Sequence, residues 1–467
     1  MTKITYLILL AWIVVAPTRL ESVDAPVQST ALTLYNDGTG FVRQVLEGRL
    51  PVGDDVNWVL SDLAATLEAP TVRLVSLSHP GSFFIREQNF EYDLVNSQKI
   101  LDRYLGQTVG FDIENRATGD LSRVEGTILS TAGAGVYEID GEIHIGAPGR
   151  LILPSLPGGL ALRPQLRWRL ANEERSVQDL LLSYLMSGTS WWADYTLHLG
   201  KEGIAELDGW VTLQNDSGTS YPDAEIKLVA GSIHRAPKAP QEHMRRGMVA
   251  DSMMMEVIEE SFFEYHLYRL PSPTNLPDRS LKQVRFLTGD SVPYQTVYTL
   301  SNPWGYGGPS TEAGDPARVP IAVSIAFRND EESSLGLPLP AGTLRMFMED
   351  SRGEAQLVGE DNLGHTPKNE EISLQAGEAF DLVGEIRTLD FTKLYANRTK
   401  TDVEVRVRNH KEEGTAVVRY RARLWGDVTL SSTSSIQLEP LGNGWYEALI
   451  PIDAGQESIL TYSILTK

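Results

Sequence analysis

The segment at residues 190–231, SWWADYTLHLGKEGIAELDGWVTLQNDSGTSYPDAEIKLVAG, constrains the fold of this chain more than any other stretch. Apolar and polar residues alternate in it over three stretches, which are separated by turn-forming residues at 200–203 and 215–218. Alternation with a period of two, bounded by such clusters, is typical of half-buried strands joined by tight turns. The segment therefore predicts three consecutive antiparallel strands in a mainly β chain.

The same segment resembles a known bacterial family. Its succession of Trp, Ala-Asp-Tyr, Gly-Trp-Val, Asn-x-Ser-Gly and Leu-Val-Ala-Gly is similar to the core of the family catalogued as domain of unknown function 4139. Further similar stretches are YNDGTGFVRQVLEGRLPVG from Tyr35, FEYDLVNSQKILDRYLGQTV from Phe90, GLPLPAGTLRMFMED from Gly336, LVGEDNLGHTPKNEEISLQAGEAFDL from Leu357 and VEVRVRNHK from Val403. The resemblance covers residues 31–467, with weaker support between 236 and 320. That family has no established reaction, so the resemblance implies a topology and a cellular location, and it supplies no catalytic residues.

The N-terminus, MTKITYLILLAWIVVAPTRLES, predicts export. A lysine precedes an apolar run over residues 4–16, which Pro17 ends. The run is shorter than the ~20 residues of an ordinary membrane span and fits the apolar region of a secretory signal. Cleavage after Ala16 places Pro17 directly after the cut, so Ser22 is an alternative, and a short uncleaved anchor stays open. We expect a signal peptide at 1–22 and a periplasmic or cell-surface location, with membrane contact only through this segment if it is uncleaved.

Charge, cysteine content and motifs exclude several classes of function. The chain has 41 Lys and Arg against 62 Asp and Glu, and its net charge of −21 repels phosphate backbones, so no nucleic-acid partner is expected. It has no cysteine, which excludes disulfides, a thiol nucleophile and thiolate metal ligands. There is no G-x-S-x-G, H-E-x-x-H or P-loop motif, and the eight histidines are scattered. We therefore expect no cofactor and no metal site.

Strand patterns and turn residues divide the chain into five further segments. Residues 31–92 predict a small immunoglobulin-like β-sandwich, and 95–155 predict a small SH3-like barrel of short strands with Gly-rich turns. Residues 160–235 contribute strands of a central β-sandwich. After an insertion at 236–263, residues 264–467 contain about a dozen strand candidates. That number suits a large two-layer sandwich that shares strands with the central region better than one small domain.

A few short helices interrupt the β pattern. NSQKILDRYLG at 96–106 places its apolar residues at helical spacing, with Asn96 or Ser97 as the capping residue. The stretch at 176–186 also has apolar residues on one helical face, and Ser176 stands where a capping box would begin. We predict a helix at each position.

The insertion at 236–263 is unusual in its methionine content. It contains five of the nine methionines of the chain, which are Met244, Met248, Met253, Met254 and Met255. Unbranched thioether side chains adapt to irregular apolar surfaces, so the insertion can be a helical lid or a docking segment. The other interpretation is a loop insertion that is mobile or folds back onto the sandwich.

The best polar cluster is GEDNLGHT at 359–366, predicted as a loop between two strands. Its carboxylates Glu360 and Asp361 and the imidazole of His365 can act as acid and base or hold a cation through oxygen ligands. The alternative is that this cluster forms turn hydrogen bonds with its own backbone.

Arginines alternate along a predicted hairpin at 402–425. Arg406, Arg408, Arg419, Arg421 and Arg423 are predicted to share one face, which is unusual in so acidic a chain. Such a face can dock an anionic glycan or an acidic patch of another domain through bidentate contacts. The alternative is cross-strand pairing with local carboxylates on a solvated face.

The loop NPWGYGGP at 302–309 carries two aromatic side chains on a Gly-rich connection. Exposed Trp304 and Tyr306 can stack on a sugar or fill a protein interface.

Two functions from different classes follow from these patterns. The first is an exported, non-enzymatic β-sandwich protein that binds a protein or glycan of the bacterial envelope. The second is an envelope hydrolase that acts on a saccharide with carboxylates from separate strands, about 5–9.5 Å apart across a cleft. No pattern of residues identifies an enzyme, so the first interpretation is preferred.

Overall fold

The structure is a computed structural model that describes residues 25–114, 118–155, 157, 160–231, 258–262, 265–305, 313–395, 398–432 and 434–466. Within these ranges the regular structure is almost entirely strand, which confirms the mainly β prediction. The one α-helix among the described residues is α1 (Ser97–Arg103), and a 3-10 turn covers Ala69–Thr71. The methionines of the insertion, and Tyr306, lie outside the described residues.

The strands of the first half of the chain are β1 (Val27–Tyr35), β2 (Thr39–Gly48), β3 (Gly53–Ser61), β4 (Arg73–Ser76), β5 (Phe83–Glu91), β6 (Thr108–Glu114), β7 (Leu121–Ser130), β8 (Val136–Ile139), β9 (Glu142–Ile145), β10 (Arg150–Ile152), β11 (Gln165–Asn172), β12 (Gln178–Ser187), β13 (Thr189–Leu199), β14 (Ile204–Asn215) and β15 (Tyr221–Ala230).

Those of the second half are β16 (Ile258–Phe262), β17 (Tyr265–Arg269), β18 (Thr274–Leu276), β19 (Ser280–Ser301), β20 (Ala317–Val319), β21 (Ala322–Arg328), β22 (Gly342–Glu349), β23 (Ala355–Leu363), β24 (Glu371–Glu378), β25 (Leu382–Lys393), β26 (Thr399–Asn409), β27 (Thr415–Arg423), β28 (Val428–Ser432), β29 (Glu439–Gly442), β30 (Trp445–Asp453) and β31 (Glu457–Thr466).

Two large sheets enclose the first hydrophobic core. One has the order β16-β17-β15-β1-β2-β12-β4, with β18 paired to β15; the other is a ten-stranded sheet that begins β23-β22-β13-β14-β19. Buried residues of both sheets belong to one cluster, for example Leu182 and Ile226 of the first and Tyr195 and Leu207 of the second. A three-stranded sheet, β3-β11-β5, adds to the same core. We call this unit the first sandwich.

The strand β19 connects the first sandwich to a second one. Its first part, to Pro293, pairs with β14, and its second part, from Tyr294, pairs with β21 and β27. The ten-stranded sheet then continues as β19-β27-β30-β29, and a five-stranded sheet β20-β25-β26-β31-β28 supplies the other side of a separate core. The strand β19 thus belongs to both sandwiches, and β17, β18, β22 and β23, which also lie in the predicted segment 264–467, belong to the sheets of the first.

Residues 97–152 form a small unit with its own core. The five strands pair in the order β10-β6-β7-β8-β9, and Tyr104, Phe111 and Tyr137 belong to a cluster separate from the two large cores. The predicted helix before them is present, since the Asn96 side chain accepts a hydrogen bond from the Lys99 backbone N at 2.8 Å and caps α1.

The helix predicted at 176–186 is wrong. From Gln178 onward these residues belong to β12, which pairs with β2 along ten residues and with β4 on its other side. Gln178, Leu180, Leu182, Tyr184 and Met186 are all buried. A leucine-rich run fits both the helical period of 3.6 residues and the strand period of two. Pairing with strands on both edges favours the strand more than the helical propensity of leucine favours the helix.

The opening segment of the sequence also divides differently from the prediction. The strands β13 and β14 form the predicted antiparallel pair. The third strand, β15, leaves this sheet and pairs with β1, in parallel, and with β17. A tight corner at 215–218 makes the change of sheet. Two sheets also join strands from 31–92 to strands from 160–235, so these two predicted segments share one core.

Four buried asparagines fasten the ends of strands. They are Asn172, Asn215, Asn329 and Asn409, each at most 1 % exposed. Each side-chain oxygen accepts a backbone N–H, and each side-chain amide donates to at least one backbone carbonyl. Asn215 at the end of β14 donates to the carbonyl of Leu276, in β18, and so links the two facing sheets of the first sandwich.

Candidate functional site

The structure separates the predicted arginine face into two surfaces. The strands β26 and β27 are not a hairpin, because β26 pairs with β25 and β31 whereas β27 pairs with β19 and β30. Val405 of β26 and Tyr420 of β27 are both buried in the core between these sheets. The alternate residues of each strand therefore point outward on opposite sides, with Arg406 and Arg408 on one and Arg419, Arg421 and Arg423 on the other.

Local carboxylates pair with most of these arginines. Arg406 contacts Glu404 at 3.3 Å and Glu457 at 3.7 Å. Arg408 is paired with Glu385. Arg421 contacts Glu447 at 2.8 Å. The geometry thus supports the interpretation of cross-strand pairing for three of the five arginines.

Glu404 is the most enclosed carboxylate of this group. Glu404 is 9 % exposed, and its two carboxylate oxygens accept hydrogen bonds from Arg387 Nε and Nη2 at 2.9 and 3.0 Å. These hydrogen bonds, with the charges of Arg387 and Arg406, hold the pKa of Glu404 below its ordinary value of 4.5.

Because the pKa is lowered in the folded state, the pair stabilises the fold above the unfolded-state pKa and loses this contribution as the pH falls through the folded-state value. We expect Glu404→Gln to reduce the free energy of unfolding at pH 7 by about 1–3 kcal/mol. The difference from the parent protein should shrink as the pH falls below 4.5, measured by urea denaturation. Glu439→Gln, at an exposed position of β29, is the control. A pH-independent difference would contradict this account of Glu404.

The polar cluster at 359–366 does not converge on a site. Glu360, Asp361 and Asn362 lie in β23 rather than in the predicted loop. Glu360 contacts Arg345 Nε at 2.8 Å, whereas Asp361 accepts hydrogen bonds from the backbone N of Asn362 and of Gln375, both at 2.8 Å. His365 lies beyond the strand, and its Nδ1 accepts from the Ala341 backbone N at 3.1 Å. The three predicted groups thus serve separate structural contacts. Among the described residues no group of three or more acidic or histidine side chains could hold a metal ion.

One pair of carboxylates from separate strands does meet on the outer face of the first sandwich. Arg345 of β22 contacts Asp194 of β13 through Nη1, at 3.4 Å, and Glu360 of β23 through Nε. Thr212 also donates to Asp194, at 3.3 Å. The two carboxylates and the guanidinium between them form an ion-pair network, and an opposite charge nearby favours the charged form of a carboxylate. A glycosidase needs one carboxyl group that carries a proton.

The aromatic loop and the end of the arginine row come together at one end of the second sandwich. The Arg423 guanidinium lies 3.8 Å from the centroid of the Trp425 ring and 5.6 Å from that of Trp445. Trp304, Trp425 and Trp445 are 37 %, 52 % and 37 % exposed. We call Trp304, Arg423, Trp425 and Trp445 the tryptophan cluster.

Asn302 positions Trp304 at this cluster. Its backbone N donates to the Arg421 carbonyl at 2.8 Å, and its side chain donates to the Tyr420 hydroxyl at 3.1 Å and accepts from the Trp304 backbone N at 2.9 Å. The next residue, Gly305, has a φ of +68°, and a Cβ there would lie 3.8 Å from Trp425 Nε1. The loop therefore runs against the end of β27.

Arg423 differs from Arg421 in its partners. In the part of the chain that the structure describes it has no ion pair, and its buried Nε has no hydrogen-bond partner. Its contacts are the two indole rings, which favour a guanidinium through cation–π attraction.

The sequence analysis missed Trp425 and Trp445. A signal for Trp425 was present, because it continues the outward alternation of Arg419, Arg421 and Arg423 beyond the end of the strand. Trp445 follows a turn and is the cross-strand partner of Arg423. Strand pairing brings the Trp445 indole to the Arg423 guanidinium, and no spacing along the chain shows this.

No helix among the described residues has the length and apolar character needed to cross a membrane. Neither a scan against models of protein families nor a search of curated proteins finds a match for the chain.

Proposed function

We propose that the chain is an exported protein of the bacterial envelope that binds another envelope protein through the tryptophan cluster and catalyses no reaction. The N-terminal segment supports export, and the resemblance to the family catalogued as domain of unknown function 4139 supports a bacterial envelope location. The observation that carries the binding function is the tryptophan cluster itself, in which two exposed indoles lie against one arginine and a third exposed indole, that of Trp304, belongs to the loop that runs against the end of the same strand.

A protein partner fits this chemistry best. Tryptophan and arginine are enriched at the energetic centres of protein interfaces, because a large rigid ring buries much area with little loss of side-chain freedom and a planar guanidinium both stacks on rings and donates several hydrogen bonds. The cluster is also preorganised, because the hydrogen bonds of Asn302 fix the loop that carries Trp304, and the pairing of β27 with β30 fixes Arg423 and Trp445. A preorganised patch loses less entropy on association. A glycan is the other class of ligand for this cluster.

The hydrolase stays the second candidate because two carboxylates from different strands, Asp194 and Glu360, do meet at Arg345. Their common ion pair with Arg345 speaks against roles as general acid and base. Asp194→Asn tests the hydrolase function, because a hydrolase that uses Asp194 would lose its activity on a saccharide substrate.

We test the binding function by crosslinking and pull-down from bacterial envelope fractions, with the full chain as bait. The double variant Trp425→Ala and Trp445→Ala should reduce capture of the partner at least about tenfold, since truncation at an interface centre costs about 2 kcal/mol or more. Trp304→Ala should reduce it less. The matched control is Phe84→Ala, which removes a 69 % exposed aromatic ring from β5 in the first sandwich.

The partner is then identified and its affinity for each variant measured with purified components. Equal binding by the parent protein and the double variant would refute the role of the cluster. Recovery of a glycan in place of a protein, with the same loss in the double variant, would assign the cluster to the other ligand class.

A further inference from the structure

A groove opens in the first sandwich, at a distance along the chain from the tryptophan cluster, and both outward-facing and core-facing residues of β13 line it. It has a volume of about 630 Å³, and its lining includes Asn36, Ser190, Trp192, Gln214, Thr343 and Asn362. Volumes of about 300–1,000 Å³ are typical of small-ligand sites. We call it the Trp192 groove.

The alternation of β13 gives the groove its aromatic wall. Trp191, Ala193 and Tyr195 point into the core and are almost fully buried, so Trp192 must point outward, where it is partly exposed. The parallel partner strand β22 approaches closely here, because a Cβ on Gly342 would lie 2.2 Å from the Ala193 carbonyl oxygen. Glycine at 342 thus permits the close approach of β22 to β13 beside Trp192.

The lining of the groove carries no charge. Its twelve residues include no Asp, Glu, Lys, Arg or His, in a chain in which 22 % of residues are charged. The polar groups are amides and hydroxyls instead, which both donate and accept hydrogen bonds. Such a lining favours a neutral ligand that is rich in groups that donate and accept hydrogen bonds.

Part of this hydrogen-bonding capacity is unused within the described residues. Thr343 and Asn362 are cross-strand partners, and neither side chain makes a hydrogen bond there. Asn36 Nδ2 donates to the Trp191 carbonyl at 3.3 Å, which leaves its own side-chain oxygen available. These groups, together with the Trp192 ring, offer one flat apolar surface and several neutral polar contacts.

An extended peptide fits this groove less well. Peptides that add to a sheet need an unpaired strand edge. The strands at the floor have none, because β13 pairs with β14 and β22, and β22 pairs with β13 and β23. A sugar ring needs no free edge, since its C–H face packs on an indole and its hydroxyls reach amides around the rim.

We propose that the Trp192 groove binds a neutral saccharide of one to three residues. This site is separate from the tryptophan cluster, which belongs to the second sandwich. The proposal is for binding alone, without a reaction.

The test is titration of the purified full chain with maltotriose, cellotriose and tri-N-acetylchitotriose, by calorimetry and by tryptophan fluorescence. At least one of the three should bind with a dissociation constant below about 1 mM, and Trp192→Ala should weaken it at least tenfold. Asn362→Ala, at an exposed position, should weaken it about threefold to tenfold, the range for one hydrogen bond. The double variant at Trp425 and Trp445 should bind as the parent protein does.

Circular dichroism spectra must first show that Trp192→Ala is folded, and Asn362→Ala provides an independent measurement if it is not. Failure of all three saccharides to bind, or binding that neither variant weakens, would overturn the proposal. Tighter binding of the neutral peptide N-acetyl-trialanine amide would assign the groove to a peptide instead. None of these outcomes bears on capture by the tryptophan cluster, so the two proposals fail separately.

Discussion

Replacement of Trp168 by alanine should lower the free energy of unfolding by about 3–5 kcal/mol, the range for loss of a large aromatic side chain from a core. Trp168 is fully buried in β11, the central strand of the three-stranded sheet. Its ring stacks on that of Trp58, with the ring centroids 4.9 Å apart, and its Nε1 donates to Gln88 Oε1 at 2.7 Å. The substitution removes the stacking contact and the hydrogen bond and leaves a cavity between strands from distant parts of the chain.

The measurement is urea denaturation followed by far-ultraviolet circular dichroism. Trp425→Ala is the matched control, because it removes the same side chain from a site where it is 52 % exposed, and its effect should stay below about 1 kcal/mol. Similar shifts in the two variants would show that the Trp58–Trp168 stack contributes nothing special to the first sandwich.

Replacement of Asn215 by alanine should cost at least about 3 kcal/mol, because several buried backbone groups lose their partner at once. The side-chain amide donates to the carbonyls of Thr219, Leu276 and Pro277 at 2.9, 3.2 and 3.0 Å, and its oxygen accepts from the Ser217 N at 3.1 Å. No water can replace these contacts without opening the corner where the chain changes sheet, because Asn215 is 0 % exposed.

Asn57→Ala, at an exposed position of β3, is the control and should change stability by less than about 0.5 kcal/mol. Hydrogen exchange should also show faster exchange at the corner and in β18, which Asn215 holds to β14. A loss of stability without faster exchange at the corner and in β18 would contradict the role of Asn215 in holding these two segments together.

The strands themselves were largely predictable from the sequence. The alternation at 190–215 predicted β13 and β14 and their antiparallel pairing, and the apolar spacing at 96–106 predicted α1 with its Asn96 cap. The prediction failed at 176–186, where leucines satisfy helical and strand periods alike. The immunoglobulin-like and SH3-like types stay predictions.

The candidate site was less predictable than the fold. Trp304 and Arg423 were both singled out from the sequence, but as members of two different features. Their proximity depends on the hydrogen bond from Asn302 to the Arg421 carbonyl and on the pairing of β27 with β30. The sequence analysis expected Arg406 and Arg421 on one face, and the structure places them on opposite sides of a core.

The sequence by itself determined most of the strands and which side of each of them is apolar, because both follow from local alternation and from turn residues. Only the tertiary structure decided which strands share a sheet, since the same apolar faces can be buried in several arrangements. The strand β15 left the sheet of β13 and β14, and β26 and β27 became facing layers rather than a hairpin. The tryptophan cluster depends on the pairing of β27 with β30, and the Trp192 groove depends on the pairing of β13 with β22; each pairing brings together residues far apart along the chain.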